Sequence, residues 1–113
     1  MEKIVEQGLL YDFYGELLTE HQKKIYEDVV YNDFSLGEIA EEYGISRQGV
    51  HDLIRRCNNS LQEYENKLHL IERFLTIRER IGQLQKVAED ENIPRETLVQ
   101  EMKEITRQIL EEL

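Results

Sequence analysis

The chain has 113 residues, with one proline, six glycines and one cysteine, and its formal charge at pH 7 is −10. This length suits one compact unit or two small helical lobes, and the residue balance predicts an all-α fold. A single cysteine excludes an internal disulfide and a thiolate metal site built from one chain. No apolar stretch approaches the roughly 18 residues of a membrane span, and no signal peptide is recognisable. We therefore expect a cytoplasmic protein without a membrane partner.

Two helices are predicted before the centre of the chain. Apolar residues at three- and four-residue steps predict a first helix over residues 3–17. Thr19 and Gln22 have the spacing of a capping box, which predicts the start of a second helix. That helix should end near Tyr31, because the next two residues, Asn32 and Asp33, favour local side-chain hydrogen bonds.

The segment of residues 35–56 has the pattern of a helix-turn-helix. Ser35 and Glu38 repeat the capping-box spacing, and Gly44 suits the left-handed turn past the end of a helix. Ser46 then caps the next helix. The apolar and small residues that hold the two helices at a steep angle are Ile39, Ala40, Tyr43, Ile45, Val50 and Leu53. Such an angle lets the second helix lie in the major groove of DNA, which is roughly 12 Å wide.

A long helix and a helical hairpin are predicted after the motif. The apolar stripe continues from Val50 to Leu75, and the poor helix formers at residues 58–60 predict a bend or break within it. A final helix should start at Pro94, and the short connector before it makes the two C-terminal arms antiparallel. We expect residues 1–66 to hold the N-terminal helices and the motif. Residues 67–113 should form arms that dimerise as a four-helix bundle, with the whole chain one compact unit.

The outward face of the second motif helix carries polar side chains suited to nucleic acid. These residues are Arg47, Gln48, His51, Asp52, Arg55 and Arg56. Arginine donates two hydrogen bonds to guanine, glutamine pairs with adenine, and Arg55 and Arg56 can hold phosphates. The alternative is a solvated face, where Asp52 neutralises Arg56 four residues on and the helix contacts protein or only water.

Charge and side-chain chemistry argue against several other functions. Residues 1–60 carry 6 Lys and Arg against 12 Asp and Glu, and residues 61–113 carry 8 against 12. Neither half is basic, which predicts weak non-specific binding to DNA. His21, His51 and His69 are too far apart for a metal site, and Cys57 lies on the apolar stripe. With no phosphate loop or acid/base pair either, we expect no enzyme activity, metal, cofactor or small-molecule substrate.

Three segments resemble the signature segments of the YlxM family of bacterial helix-turn-helix proteins. They are YGELLTEHQ at residues 14–22, SLGEIA at residues 35–40 and ISRQGVHD at residues 45–52. The resemblance covers nearly the whole chain, and its middle is similar to sigma factor region 4, where an equivalent helix reads the promoter −35 element. It implies that the groove-facing residues are Arg47, Gln48, His51, Arg55 and Arg56. Family genes typically lie beside those for signal recognition particle components, which implies a regulatory or accessory role in that pathway.

Two functions therefore stay open. The first is a DNA-binding regulator, which we expect to be a homodimer because one recognition helix on an acidic domain buries too little surface. The second is an accessory protein that binds signal recognition particle protein or RNA without promoter recognition, because an acidic chain is drawn to a basic protein. Gly49 costs the recognition helix roughly 1 kcal/mol relative to alanine, so we ask whether it allows close approach of a partner.

Overall fold

A computed structural model describes residues 3–113, with side chains from Val5 onward. In chain order its elements are α1 (Lys3–Tyr14), a 3₁₀ turn (Gly15–Leu17), α2 (Glu20–Val30), α3 (Leu36–Tyr43), α4 (Arg47–Leu68), α5 (Leu70–Glu89) and α6 (Arg95–Glu112). No strand occurs among the described residues, so the predicted all-α fold is confirmed. The chain divides into an N-terminal unit, Met1–His69, and a C-terminal unit, Leu70–Leu113. Within residues 3–113, no helix has both the length and the apolar character that crossing a membrane requires.

The first helix is shorter than its apolar pattern predicted. Instead of running over residues 3–17, α1 ends at Tyr14 and the chain continues as the 3₁₀ turn. Gly15 is buried there, and a Cβ at this position would lie 2.9 Å from the ring of Tyr11. Glycine therefore lets the chain turn tightly against that ring, and it is also a poor residue for continuing a helix.

Side-chain caps fix the starts of α2 and α3. Thr19 Oγ1 accepts from the Gln22 backbone N–H at 3.2 Å and Gln22 Oε1 accepts from the Thr19 N–H at 3.0 Å, which confirms the predicted capping box. Ser35 Oγ accepts from the Glu38 N–H at 3.1 Å, but the predicted return bond from Glu38 is not formed. The Glu38 carboxylate is exposed and can be solvated by water instead. Each cap satisfies a backbone donor that the helix leaves unpaired.

Three helices of the N-terminal unit meet in one apolar core. Ile25 of α2, Ile39 and Ala40 of α3, and Val50 of α4 form its buried centre. The partly buried residues packed around it are Val29, Leu36, Tyr43, Leu53 and Ile54. Ile45, which was predicted to join these contacts, is 37% exposed because it lies in the turn between α3 and α4.

A bend or a break was predicted at residues 58–60; helix α4 runs without interruption from Arg47 to Leu68, so a break there is wrong. Cys57 and Leu61 on either side of this stretch are fully buried. Asn58 is held in the helix by a tertiary contact, because the buried Tyr26 donates its hydroxyl to Asn58 Oδ1 at 2.7 Å. The helix ends instead at His69, whose φ of 56° is left-handed. Tertiary packing thus overrides weak local helix propensity.

The C-terminal unit is a hairpin of α5 and α6, which pack on each other across the connector at residues 90–94. Its buried apolar residues are Ile71 and Ile105. Several large apolar side chains stay exposed on the two helices: Phe74, Ile81, Val99 and Leu110. Among the described residues, this unit therefore buries two apolar residues where the N-terminal unit buries ten.

Candidate nucleic-acid interface

The turn between α3 and α4 sets the direction of the candidate recognition helix. Gly44 ends α3 with φ 68°, a conformation that glycine adopts without steric cost. Ser46 then caps α4, because its Oγ accepts from the Gly49 backbone N–H at 2.9 Å. Val50 and Cys57 are fully buried on one side of the helix. The opposite side of its first three turns therefore faces solvent.

All five residues that were predicted from the sequence to face the DNA groove are exposed on α4: Arg47, Gln48, His51, Arg55 and Arg56. They present guanidinium, carboxamide and imidazole groups along about three helical turns. Guanidinium and carboxamide groups are the donors and acceptors that can pair with guanine and adenine in the major groove. The face is thus chemically suited to reading base edges.

Asp52 lies on this face, and its carboxylate contacts three of the five residues. Its Oδ1 accepts from Gln48 Nε2 at 3.0 Å and lies 3.5 Å from the guanidinium of Arg55. His51 Nδ1 lies 3.8 Å from the same oxygen. Arg56, the ion-pair partner that the alternative interpretation expected, instead donates from Nε to the Asp52 backbone oxygen at 3.4 Å. The structure therefore gathers Gln48, His51 and Arg55 around one carboxylate and pairs the other arginine differently.

Arg47 lies apart from this group, against the first turn of α3. Its guanidinium occupies the space beside Gly37, where a Cβ would come within 2.9 Å of an Arg47 nitrogen. Gly37 therefore leaves room for the arginine side chain to cross from α4 to α3. The sequence pattern did not reveal this contact, because a glycine in a capped first turn is normally explained by local geometry alone.

A polar cleft of about 340 Å³ opens between α1 and α4 beside Arg55. Its polar lining consists of Glu6, Gln7, Arg55, Asn58, Asn59 and Gln62. Carboxamides both donate and accept hydrogen bonds, so the cleft extends the polar face of α4 beyond the predicted residues. The sequence did not predict the cleft because it depends on the pairing of two helices some 50 residues apart.

Gly49 and Cys57 are explained by their neighbours within the fold. A Cβ at Gly49 would lie 3.2 Å from Ser46 Oγ, which is a close contact with the capping group. Glycine at this position thus leaves room for the cap itself. Burial raises the pKa of the Cys57 thiol, which keeps it protonated and poorly nucleophilic at neutral pH. Cys57 therefore acts as a small buried apolar side chain, as its place in the stripe predicted.

This geometry defines a helix-turn-helix protein, with α3 and α4 joined by the turn at Gly44 and a polar face on α4. The comparison with known families agrees with that class. A family model described as "Putative helix-turn-helix protein, YlxM / p13 like" matches residues 1–105. The chain belongs to this family, UPF0122.

Individual relatives extend the match over most of the chain. YlxM of Bacillus subtilis (strain 168) is 44% identical over 88 residues, which cover 78% of this chain and 80% of the relative. A UPF0122 protein of Thermoanaerobacter sp. (strain X514) is 43% identical over 107 residues, covering 91% and 90%. A UPF0122 protein of Acetivibrio thermocellus is 48% identical over 86 residues, covering 76% and 74%. The similarity therefore includes both structural units.

Proposed function

We propose that the chain is a DNA-binding regulatory protein that inserts the N-terminal half of α4 into the major groove. The observation that carries this proposal is the exposed face of α4, which presents three guanidinium groups, a carboxamide and an imidazole opposite a buried side. Gln48 and Arg55 share the Asp52 carboxylate and would contact base edges, so Arg55 would read a base and not hold a phosphate as the sequence suggested. Arg47, His51 and Arg56 would hold the flanking phosphates. The protein would act in the cytoplasm, without a cofactor and without catalysing a reaction.

The charge of the chain limits how this binding can work. A net charge of −10 opposes the counterion release that drives non-specific affinity for DNA. Affinity must therefore come from direct contacts, and one helix offers few of them. Two recognition helices in one dimer would double the contacts and match two half-sites on the duplex.

The C-terminal unit supports such a dimer. On α6, Val99, Met102, Thr106 and Leu110 follow one another at steps of three and four and line an open apolar groove. Leu110 is 64% exposed and continues this stripe toward the end of α6, so the exposed apolar residues form a contiguous patch and not a single scattered side chain. A second copy of the hairpin would cover this stripe and complete a four-helix bundle. We propose that residues 67–113 form this homodimer.

A titration against duplex DNA tests the proposed interface. We expect Arg55→Ala to weaken binding to a duplex selected from a random pool by about tenfold, because it removes one base contact. Arg95→Ala is the matched control, since Arg95 is an exposed arginine on α6 and its loss changes the net charge equally. Equal weakening by both variants would mean that only bulk charge matters, and would contradict the proposal.

Light scattering coupled to gel filtration tests the dimer. Wild type should elute as a dimer at micromolar concentration, and Val99→Lys combined with Leu110→Lys should produce a monomer. Thr97→Lys combined with Gln100→Lys is the control, because these exposed residues of α6 do not line the groove. A monomeric wild type, or a dimer that survives the first pair of substitutions, would contradict the proposed arrangement.

The acidity of the chain also favours a second candidate function, an accessory protein of the signal recognition particle. A protein with a charge of −10 is attracted electrostatically to a basic protein surface. In that case the chain would bind particle protein or RNA without reading a promoter. A pull-down against purified particle components, with and without nuclease, distinguishes the candidates. Retention of particle protein after nuclease treatment supports this function, whereas binding to duplex DNA alone contradicts it.

A further inference from the structure

Asp52 holds a position that its charge alone does not explain. It is the acidic residue on the exposed face of the first turns of α4, where DNA phosphates would repel it. Nevertheless its side chain is only 34% exposed, and its carboxylate contacts Gln48, His51 and Arg55. The carboxylate is therefore integrated into the face and is not a freely solvated group.

The contacts of Asp52 leave the base-reading atoms of its partners available. Glutamine has two N–H donors and a carbonyl acceptor, and pairing with adenine uses one of each. The bond from Gln48 to Asp52 takes the other N–H. Arginine has five N–H donors, of which a guanine uses two, so Arg55 can contact Asp52 and a base together. Asp52 therefore restrains both side chains in position and leaves their base-pairing donors and acceptor available.

We infer that Asp52 determines the specificity of the proposed DNA interface, an inference that rests on the proposed function. It acts as a positioning residue that holds Gln48 and Arg55 in the geometry needed for one pair of bases. Its negative charge also repels the phosphates of every duplex, so the affinity left without base contacts is low. The positioning favours the target over unrelated DNA, and the repulsion keeps the sequence-independent part of the binding small. An acidic residue on a DNA-reading face is then a means of discrimination.

Asp52→Asn is the variant that tests this role. Asparagine keeps an oxygen that can accept from Gln48, but it removes the charge that attracts Arg55 and repels phosphate. The backbone oxygen that accepts from Arg56 is unchanged, so the helix should fold normally. Glu101→Gln is the control, because Glu101 is exposed on α6 and its substitution removes one negative charge away from the interface.

The experiment first selects a duplex from a random pool with wild type, then measures Kd for that duplex and a scrambled one. We expect Asp52→Asn to bind the scrambled duplex about fivefold more tightly and to lower the ratio of the two affinities about tenfold. The gain on scrambled DNA should shrink at higher salt, whereas the lower ratio should persist. Glu101→Gln should change both quantities less than twofold.

The experiment has three outcomes, which test the role of Asp52 separately from the proposed DNA binding. A lowered affinity ratio in Asp52→Asn, with wild-type thermal unfolding, supports the inference. If wild type binds its selected duplex and Asp52→Asn keeps the same ratio, the inference is wrong and the proposed function stands. If neither protein prefers any duplex over the scrambled one, the proposed function fails and the inference fails with it.

Discussion

The two units of this protein differ in how completely each covers its apolar residues. In the N-terminal unit, four helices and a 3₁₀ turn enclose buried residues such as Ile25, Tyr26 and Ile39, each with no exposed surface. In the C-terminal unit, a two-helix hairpin leaves Ile81 and Leu110 exposed at 45% and 64%. A core of at least three helices can close on itself, whereas two helices leave one side of each seam open. The difference separates a unit with a closed core, which carries the proposed site, from a unit with an open apolar face, which carries the proposed dimer interface.

The largest expected effect on stability comes from replacing a core isoleucine of the N-terminal unit, compared with an exposed isoleucine of the C-terminal unit. Ile39→Ala should lower the free energy of unfolding by about 2–5 kcal/mol, because it leaves a cavity in a closed core. Ile81→Ala should change it by about 0.5 kcal/mol in dilute solution, where no partner covers that residue. Urea unfolding followed by circular dichroism measures both. Similar losses for the two variants would contradict the contrast.

A second prediction concerns the polar contact inside the closed core. Tyr26→Phe should lower the free energy of unfolding by about 1–2 kcal/mol, because it removes the hydroxyl that donates to the partly buried Asn58 Oδ1. Tyr31→Phe is the matched control, since the Tyr31 hydroxyl is exposed and its hydrogen bonds are 3.4 Å long. The chain has no tryptophan, so tyrosine fluorescence can follow the unfolding. Equal stability of both variants would show that the core contact contributes nothing.

Glycines in the two units should respond to alanine with opposite signs. Gly44→Ala should lower the free energy of unfolding by about 1 kcal/mol, because φ 68° is strained for a residue with a Cβ. Gly82→Ala should raise it by about 0.5–1 kcal/mol, because a Cβ in α5 would meet no atom within 4 Å. Thermal unfolding at low protein concentration measures both shifts. Two shifts of the same sign would contradict the predicted difference between the two glycines.

Local signals in the sequence predicted the N-terminal unit well because they act within one turn of a helix. The caps at Thr19 and Ser46 and the turn at Gly44 follow from residue type and spacing, and the structure confirms them. The error in the course of α4 involves a distant contact. The helix continues through Asn58 because Tyr26, 32 residues away, donates to it.

In the candidate site, the sequence predicts which residues are exposed but not how their side chains pair. The exposure of Arg47, Gln48, His51, Arg55 and Arg56 follows from the apolar period of α4. The apolar period does not predict the partner of Asp52, because a carboxylate on a helix can pair with a residue three or four positions before or after it. Spacing alone favoured Arg56, whereas the rotamers direct the carboxylate to Gln48 and Arg55. Which of these pairs forms depends on side-chain geometry that a sequence pattern does not contain.

The last prediction concerns how the free energy of unfolding depends on pH. The effect is the smallest of the four near neutral pH and grows in alkali. All six tyrosines and the cysteine lie in the N-terminal unit. Burial raises the pKa of Tyr26 to about 12, and burial also raises the pKa of the Tyr43 phenol and of the Cys57 thiol. In the unfolded chain these groups lose their protons near pH 9 to 10, whereas the folded chain retains them.

The folded state therefore binds more protons than the unfolded state above about pH 9, so the free energy of unfolding must fall as pH rises. The fall should continue toward pH 12, where Tyr26 ionises in the folded state, and should be absent below pH 8. Urea unfolding followed by tyrosine fluorescence from pH 7 to 11 measures it, and Tyr26→Phe should flatten part of the slope. The C-terminal unit contains neither residue type, so its helices should not share this loss. Stability that stays constant up to pH 11 would mean that these side chains are accessible to water, contrary to a closed core.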